Sequence, residues 1–458
     1  MMKQFLSLVL FIMIGGFLSS QEGGTAVAEG ASSAPEKSEE EKRYDTIRYG
    51  TDTEIAALIQ TIKTEQVTYL DDELAKLAGQ TKNRNILSGI FTFFGDRQKE
   101  GLEERALRAI EERDDEANET ILAAIEYLGK VAAGDAAGPL EKLLDNEERR
   151  FMNAAFRALG RVVTQENAGE VAEYLLGYYE GRDPGDENRR EIIVALGETK
   201  AKEGVSFLAS LAVNDDERIP LRLAALSSLA KIGDPQGLEA VLSAASSQDP
   251  NVRSAAIAAL GPFSGDAVDS AILEAFRDSY YRTRIAAAQA AKERKLADAV
   301  PYLRYRSERD EVPAVKDEAI RALGAIDNNE TTAALESLFS ERKNTDRVRI
   351  LAAEMLLQND PGRFAEKVIA DLDEAKTKNQ TALYNGFLRV LGAAKTGKLE
   401  GLVRRFFSSG GVIEKSYALD MTVNNEFRGL ADQVRELADP KNGSLSRKAR
   451  ETLRKLGL

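Results

Sequence analysis

The sequence predicts an all-α chain made from one helix pair repeated along most of its length. Three observations carry that reading. A basic residue returns at Arg189, Arg222, Arg253, Arg284, Lys316 and Arg349, with gaps of 33, 31, 31, 32 and 33 residues. After each of these, apolar residues fall at spacings of three and four, the period of one helix face. Asp, Pro and Gly mark the turns at similar offsets.

The N-terminus comes first. Lys3 is followed by an apolar run from Phe5 to Leu18, interrupted only by Ser7. That run is short for a membrane span of ~20 residues and fits an export signal over 1–20. Cleavage after Ser20 or Ala28, or retention as an anchor, is left open. Residues 21–44 are rich in Gly, Ala, Ser and Glu and read as a disordered acidic linker. The repeat array is expected over 45–458, clearest at 183–358, so the protein should be exported, periplasmic or secreted.

Composition removes several functions. Cys, His and Trp are absent and the formal net charge is −13 over 458 residues. No thiolate or imidazole is available, so disulfides, Cys nucleophiles and Ser-His-Asp triads are excluded. The usual zinc, iron and copper ligand sets are missing as well, and no metal or cofactor is expected. The acidic balance argues against nucleic acid as a partner.

One unit shows how the pattern works. In DPNVRSAAIAALG (249–261), Asp249 suits an N-cap and Pro250 the first helical position. Val252, Ala255, Ala256, Ala259 and Leu260 form one stripe, and Gly261 is expected to stop the helix, as Gly197 and Gly324 would in their units. Asp234-Pro235 opens a second helix through Leu238, Val241, Leu242 and Ala245. An acid stands six residues before the basic residue at Asp183, Asp216, Asp278 and Asp310, and four before it at Asp249.

The run D-P-x-V-R-x-x-A-x-x-A-L-G resembles the HEAT repeat, in the variety also seen in phycobilin lyases. The resemblance implies an α-α superhelix: one continuous solenoid of antiparallel helix pairs, with the second helix of each pair lining a concave face. It also implies that the recurrent Asp and Arg bridge neighbouring repeats as a structural ladder of Asp183, Arg189, Asp216, Arg222, Asp249, Arg253, Asp278, Arg284, Asp310, Lys316 and Arg349.

Other motifs are weighed against that frame. GAAKTGK (392–398) matches the start of a phosphate-binding loop, but Leu399 stands where a Ser or Thr would hold magnesium, and the preceding residues 381–392 are helical. It reads as a turn between repeat helices. In RRFFSS (404–409), Phe406 and Phe407 are not expected to face inward together. Tyr174, Tyr178 and Tyr179 read as inter-repeat core. The EERDDE run (111–116) reads as a solvated helix end.

One region departs from the rest. Residues 277–309 hold nine Lys or Arg against four Asp or Glu, and four of the 13 Tyr. Tyr280, Tyr281, Arg282, Tyr302, Arg304, Tyr305 and Arg306 form the candidate binding patch, because Tyr and Arg dominate interface hot spots. The helix carrying Tyr302 and Tyr305 is assigned as a second helix, hence concave. A solvated face with tyrosines packed on neighbours is the other reading. No catalytic constellation can be named, and the expected function is a non-enzymatic scaffold in the bacterial cell envelope with a protein or peptide partner. An envelope polysaccharide or other anionic polymer is the alternative ligand.

Overall fold

The computed structural model describes residues 37–146, 149–182 and 184–458. The export signal, most of the linker and Asp183 therefore lie outside the described residues. Among the described residues there are 26 α-helices and no strand. In order they are α1 (Glu39–Tyr49), α2 (Asp52–Glu65), α3 (Asp71–Gln80), α4 (Arg84–Asp96), α5 (Glu103–Glu111), α6 (Asn118–Lys130), α7 (Ala137–Asp145), α8 (Arg149–Leu159) and α9 (Ala168–Gly181). Then follow α10 (Asp186–Thr199), α11 (Val205–Val213), α12 (Ile219–Ile232), α13 (Leu238–Ala244), α14 (Pro250–Ala259), α15 (Asp266–Ala275), α16 (Tyr281–Arg294), α17 (Val300–Arg309) and α18 (Pro313–Ile326). The remainder are α19 (Asn329–Ser340), α20 (Asp346–Asn359), α21 (Pro361–Thr377), α22 (Thr381–Ala393), α23 (Glu400–Ser409), α24 (Val412–Asn424), α25 (Ala431–Leu437) and α26 (Ser444–Leu456).

Helix starts follow the expected chemistry. The Asp249 carboxylate accepts from the Asn251 and Val252 amides, with Pro250 opening α14. The expected disordered linker is helical at its end, from Glu39 onward. There the Ser38 hydroxyl accepts from the Glu41 amide and the Glu41 carboxylate accepts from the Ser38 amide, a closed capping box.

The helices form two rows. Each odd-numbered helix packs as an antiparallel partner on the even-numbered helix that follows, α11 on α12, α17 on α18, α19 on α20. Every even-numbered helix from α2 to α26 also packs directly on the next even one, while odd-numbered helices meet closely at only a few steps. A stack whose neighbours are closer on one side bends toward that side. The even row is therefore the inner, concave face.

This corrects the sequence assignment of unit boundaries. The D-P-x-V-R helices α10, α12, α14, α16 and α18 are the second helices of their pairs, and they line the inside as second helices were expected to. The helix of Tyr302 and Tyr305, α17, opens the pair α17–α18 and stands in the outer row.

The glycines also act otherwise than expected. Gly197 and Gly324 lie inside α10 and α18. The left-handed residues that end those helices are Lys200 (φ 55°) and Asp327 (φ 50°). A Cβ on Gly197 would meet the Ser228 Cα at 2.7 Å, and one on Gly324 would meet the Met355 Cβ at 2.9 Å. Gly160 faces the Ala195 Cα and carbonyl oxygen, both 2.7 Å from where a Cβ would sit. These glycines are the points at which one inner helix touches the next. One continuous core fills the space between the rows, with Leu196, Leu226, Ala256, Ala287 and Leu323 among its fully buried members.

Candidate functional site

The ladder is built at the turns that precede the inner helices. Arg253 donates from Nε to Asp278 Oδ2 (2.7 Å) and from Nη2 to Asp278 Oδ1 (3.1 Å), and its Nη1 bonds the Ser247 and Gln248 carbonyls. Arg284 repeats the arrangement on Asp310, at 2.7 and 2.8 Å, with the Asp278 and Ser279 carbonyls taking its Nη1. Each acid also caps the turn it sits in. Asp278 accepts from the Tyr280 amide (2.7 Å) and Asp310 from the Val312 amide (3.0 Å). Burial opposes charge on both carboxylates. The arginines and amides outweigh it and hold Asp278 and Asp310 below the ordinary Asp value.

So each rung joins the Arg of one repeat to the residue six before the Arg of the next. That rule explains where the ladder changes. Six before Arg253 stands Ser247, and Arg222 meets its Oγ at 3.5 Å, not Asp249. Arg222 is instead held by the Ala212 carbonyl (3.1 Å) and by Asp215 (2.8 Å). Asp249 is a cap only. Lys316 bonds the Glu308 carbonyl at 3.0 Å. Arg349 donates to the Phe339 carbonyl (3.0 Å) and stands 3.5 Å from Asp371. Arg189 lies over the Tyr179 ring at 5.5 Å, and the Asp216 amide donates to Asn214.

The Tyr/Arg patch is divided by the fold. Tyr302 stacks on Phe276 with ring centroids 5.7 Å apart, and Arg277 lies over its ring. Arg306 donates from Nε to the Phe276 carbonyl (2.8 Å) and from Nη1 to Asp310 (3.3 Å). Both are packing residues that tie α17 to α15 and to the ladder. Tyr305 is left 59% exposed, beside exposed Arg304, which pairs with Glu308 at 3.5 Å. Tyr280, Tyr281 and Arg282 belong to the start of α16. There Tyr280 donates to Asn251 on α14 (3.0 Å) and Arg282 donates to the Tyr281 hydroxyl (3.2 Å). The patch is thus two sites on different rows.

The other sequence candidates resolve as structure. Phe406 and Phe407 are both buried, because Leu402/Phe406 and Val403/Phe407 form two adjacent columns on one wide inward face of α23. Tyr178 is buried, with Tyr174 and Phe156 against it, and Tyr179 packs on Phe207. The phosphate-loop match is the end of α22 and the turn after it: Gly392 lies inside the last turn of the helix against Tyr417, the Thr396 amide donates to Asn425 and Lys398 pairs with Glu366. Among the described residues no helix is long and apolar enough to cross a membrane.

The inner row carries a feature the sequence reading missed. Ion pairs join successive inner helices: Lys63 and Lys130 on Asp96, Arg157 on Glu191, Lys231 on Glu198, Lys292 on Glu318, Arg347 on Asp317, Arg389 on Glu354 and Lys448 on Asp420. The steps α6–α8 and α22–α24 are joined by hydrogen bonds instead, Arg150 to Asn118 and Tyr384 to Glu414, with Lys376 of the outer helix α21 also on Glu414. Among the described residues, α12–α14 and α14–α16 are two consecutive steps with no ion pair between their facing helices; Tyr280 bonds Asn251 at the edge of the second. The repeat register shows why. Equivalent inward positions read Arg190, Leu223, Ser254, Ile285, Asp317 and, four residues on, Val194, Ser227, Ala258, Gln289, Arg321. The three central units are uncharged at both positions. Ser227, Ala258 and Gln289 are exposed; Leu223, Ser254 and Ile285 are half-buried. Aligning the units column by column would have revealed this window.

The thirteen stacked helix pairs among the described residues define an α-solenoid of the class that typically serves as a protein-interaction scaffold. The chain belongs to the spirochaete HEAT repeat protein family, whose model matches residues 47–452. That range takes in the stretches where the repeat is weak in sequence. Among solved structures the chain is similar to the karyopherin Kap121p bound to the SUMO protease Ulp1p, at 13% identity and a TM-score of 0.45, over 92% of this chain and 54% of that one. It is also similar to importin beta, at 12% identity and a TM-score of 0.39, over 90% of this chain and 72% of the other. Human deoxyhypusine hydroxylase matches at 17% identity and a TM-score of 0.25, over 66% of this chain and 98% of that one. The chain spans about half the length of the Kap121p chain. No curated protein matches it.

Proposed function

We propose that the protein is an exported, non-enzymatic scaffold of the bacterial cell envelope that seats a protein segment on its inner face at α12, α14 and α16. The observation that carries this reading is the uncharged window. At eight of the other ten inner steps ion pairs join the facing helices, and α12 to α16 is the place where two consecutive steps lack one among the described residues. At Leu223, Ser227, Ser254, Ala258, Ile285 and Gln289 the side chains are short or apolar, and no bridging ion pair must be broken to cover them. Desolvating them is cheap, and a partner backbone can come close. Tyr281 and Arg282 flank the window at the start of α16 and supply the aromatic and cationic contacts that anchor such interfaces. The apolar run at Phe5–Leu18 supports export.

The test is photocrosslinking in the native cell from a benzophenone side chain at Gln289, with Tyr305 on the outer row as the matched position. A discrete protein captured at Gln289 and not at Tyr305 is the expected result. The same band from Tyr305 alone would overturn the inner-face reading. A second reading, an anionic polymer bound on the outer row, rests on Tyr305 standing 59% exposed beside Arg304. It requires salt-sensitive retention on such a polymer that Tyr305→Ala with Arg304→Ala removes.

A further inference from the structure

Only seven large apolar side chains among the described residues are exposed, and they are not spread evenly. Val412 (63%) and Ile413 (60%) are consecutive, at the start of α24 on the inner row. With Tyr417 they wall a cleft of about 710 Å³ between α24 and α26, whose other side holds Leu445, Arg447 and Lys448. Two adjacent aliphatic side chains so exposed, in a cleft beside the Lys448–Asp420 pair that joins α24 to α26, mark a docking surface and not a scattered surface residue. Lys448 pairs with Asp420 and Lys455 with Glu451, which leaves Arg447 as the cation on the α26 side of the cleft. That helix holds five basic residues, Arg447, Lys448, Arg450, Arg454 and Lys455, against one acid, Glu451.

The opposite chemistry lies on α1. Its first turn is Glu39, Glu40 and Glu41, and its last residue, Tyr49, is 80% exposed, the most exposed large apolar side chain described. The helix is loosely held: Ile47 is its single buried residue, with Tyr44 half-buried against Tyr69. Within α1 four acids stand against Lys42, Arg43 and Arg48, and the acidic excess builds beyond it: residues 37–75 hold ten Asp or Glu and five Lys or Arg. The same chain's α1 is remote from the cleft, since twelve inner-row steps at ~8–10 Å each separate α2 from α26.

We infer that the α24–α26 cleft binds the α1 region of a second copy of this chain, joining molecules head to tail. Tyr49 supplies the apolar group that covers Val412 and Ile413, and the α1 acids face the α26 cations. Such a contact is heterologous. It uses two different patches on each copy, so copies add head to tail into open chains, or into rings where the rotation closes. It is independent of the central window and of any partner seated there.

The experiment is sedimentation velocity on the full chain over a wide concentration range, at low and high salt. The expected result is a mean mass that rises with concentration and falls with salt. Val412→Asp with Ile413→Asp changes side chains that support no packing, and should weaken association by about tenfold or more. Glu39→Lys with Glu40→Lys should weaken it as well, and so should Arg447→Glu with Arg454→Glu. Mixing those two charge-reversed chains should restore it, because reversed α1 then meets reversed α26. Circular dichroism confirms that each variant keeps its helices. A mass that stays monomeric at every concentration would overturn the inference. So would association indifferent to the Val412/Ile413 change, or reversed chains that fail to recover on mixing.

Discussion

Two rungs of the same ladder, Arg284–Asp310 and Arg222–Ser247, occupy equivalent places in the fold and are built differently. In the first, a carboxylate with no solvent-exposed side-chain surface takes two bonds from Arg284, one from Arg306 and one from the Val312 amide. In the second, a serine hydroxyl takes the place of the carboxylate. The Ser247 Oγ accepts from the Asp249 amide, two residues on, as Asp310 does from Val312. The guanidinium of Arg222 is then compensated by Asp215 on its own turn. The backbone geometry of the turn is therefore the constant of the repeat, and the charge is an option. Where an acid is present the rung binds neighbouring repeats; where it is not, the Arg serves its own repeat.

The strongest way to break the comparison is Asp310→Ala. It leaves Arg284, itself buried, without its carboxylate, and uncaps the turn before α18. Removing one partner of a buried pair costs about 3–5 kcal/mol. Denaturant unfolding, followed by circular dichroism because the chain has no Trp, should show a loss of that size. A loss below about 1 kcal/mol would mean that the rung is decorative.

Acid probes the same rungs with less force. The folded-state pKa values of Asp278 and Asp310 lie below the ordinary value, which is about 3.9 in an unfolded chain. Their contribution is thus fully present above about pH 4–5 and is lost as pH falls through the folded values. Stability measured from pH 6 downward should decline in that window. In Asp310→Ala the decline should be shallower, since one of the two groups is gone. A decline of unchanged steepness would place the acid sensitivity in other carboxylates, of which Glu414, lowered to about 2 by Lys376, Tyr384 and the Gly411 amide against its burial, is the foremost.

How much of this was legible beforehand follows the same division between backbone and side chain. Periodicity placed the helices, and Asp249-Pro250 opened α14 as written, because caps and apolar stripes are local properties. Unit boundaries were misassigned because a periodic array carries no mark of which helix comes first. That is decided by how closely each pair packs, a tertiary property, and the error moved Tyr302 and Tyr305 from the outer row to the inner. Gly197 and Gly324 were read as stops when they are contacts, since a helix-end glycine and a helix-helix glycine look alike in one chain. The uncharged window escaped because charge was summed along the sequence. Along 277–309 the sum found a basic excess, yet three of its nine cations are paired about 25 residues away, Arg284 with Asp310 and Lys292 with Glu318 in the next repeat and Arg294 with Asp269 on the partner helix.

The smallest expected effect sharpens the comparison most. Ser247→Asp places a carboxylate where Asp278 and Asp310 stand in their units, with the Asp249 amide ready to bond it as the Tyr280 and Val312 amides bond theirs. Arg222 would gain a cross-repeat acceptor, yet it already has Asp215, and burying a second acid brings its own desolvation cost. The two effects oppose each other, so the net gain should be no more than about 1 kcal/mol. A gain of the same size in the Asp215→Ala background would show that the two acids act separately. If instead the gain grows with Asp215 removed, the new carboxylate has taken over the guanidinium, and the Arg222 rung has been converted to the Arg284 type. No gain in either background would mean that a hydroxyl completes the rung as well as a charge does, and that the recurrent Asp is kept for its cap and not for its ion pair.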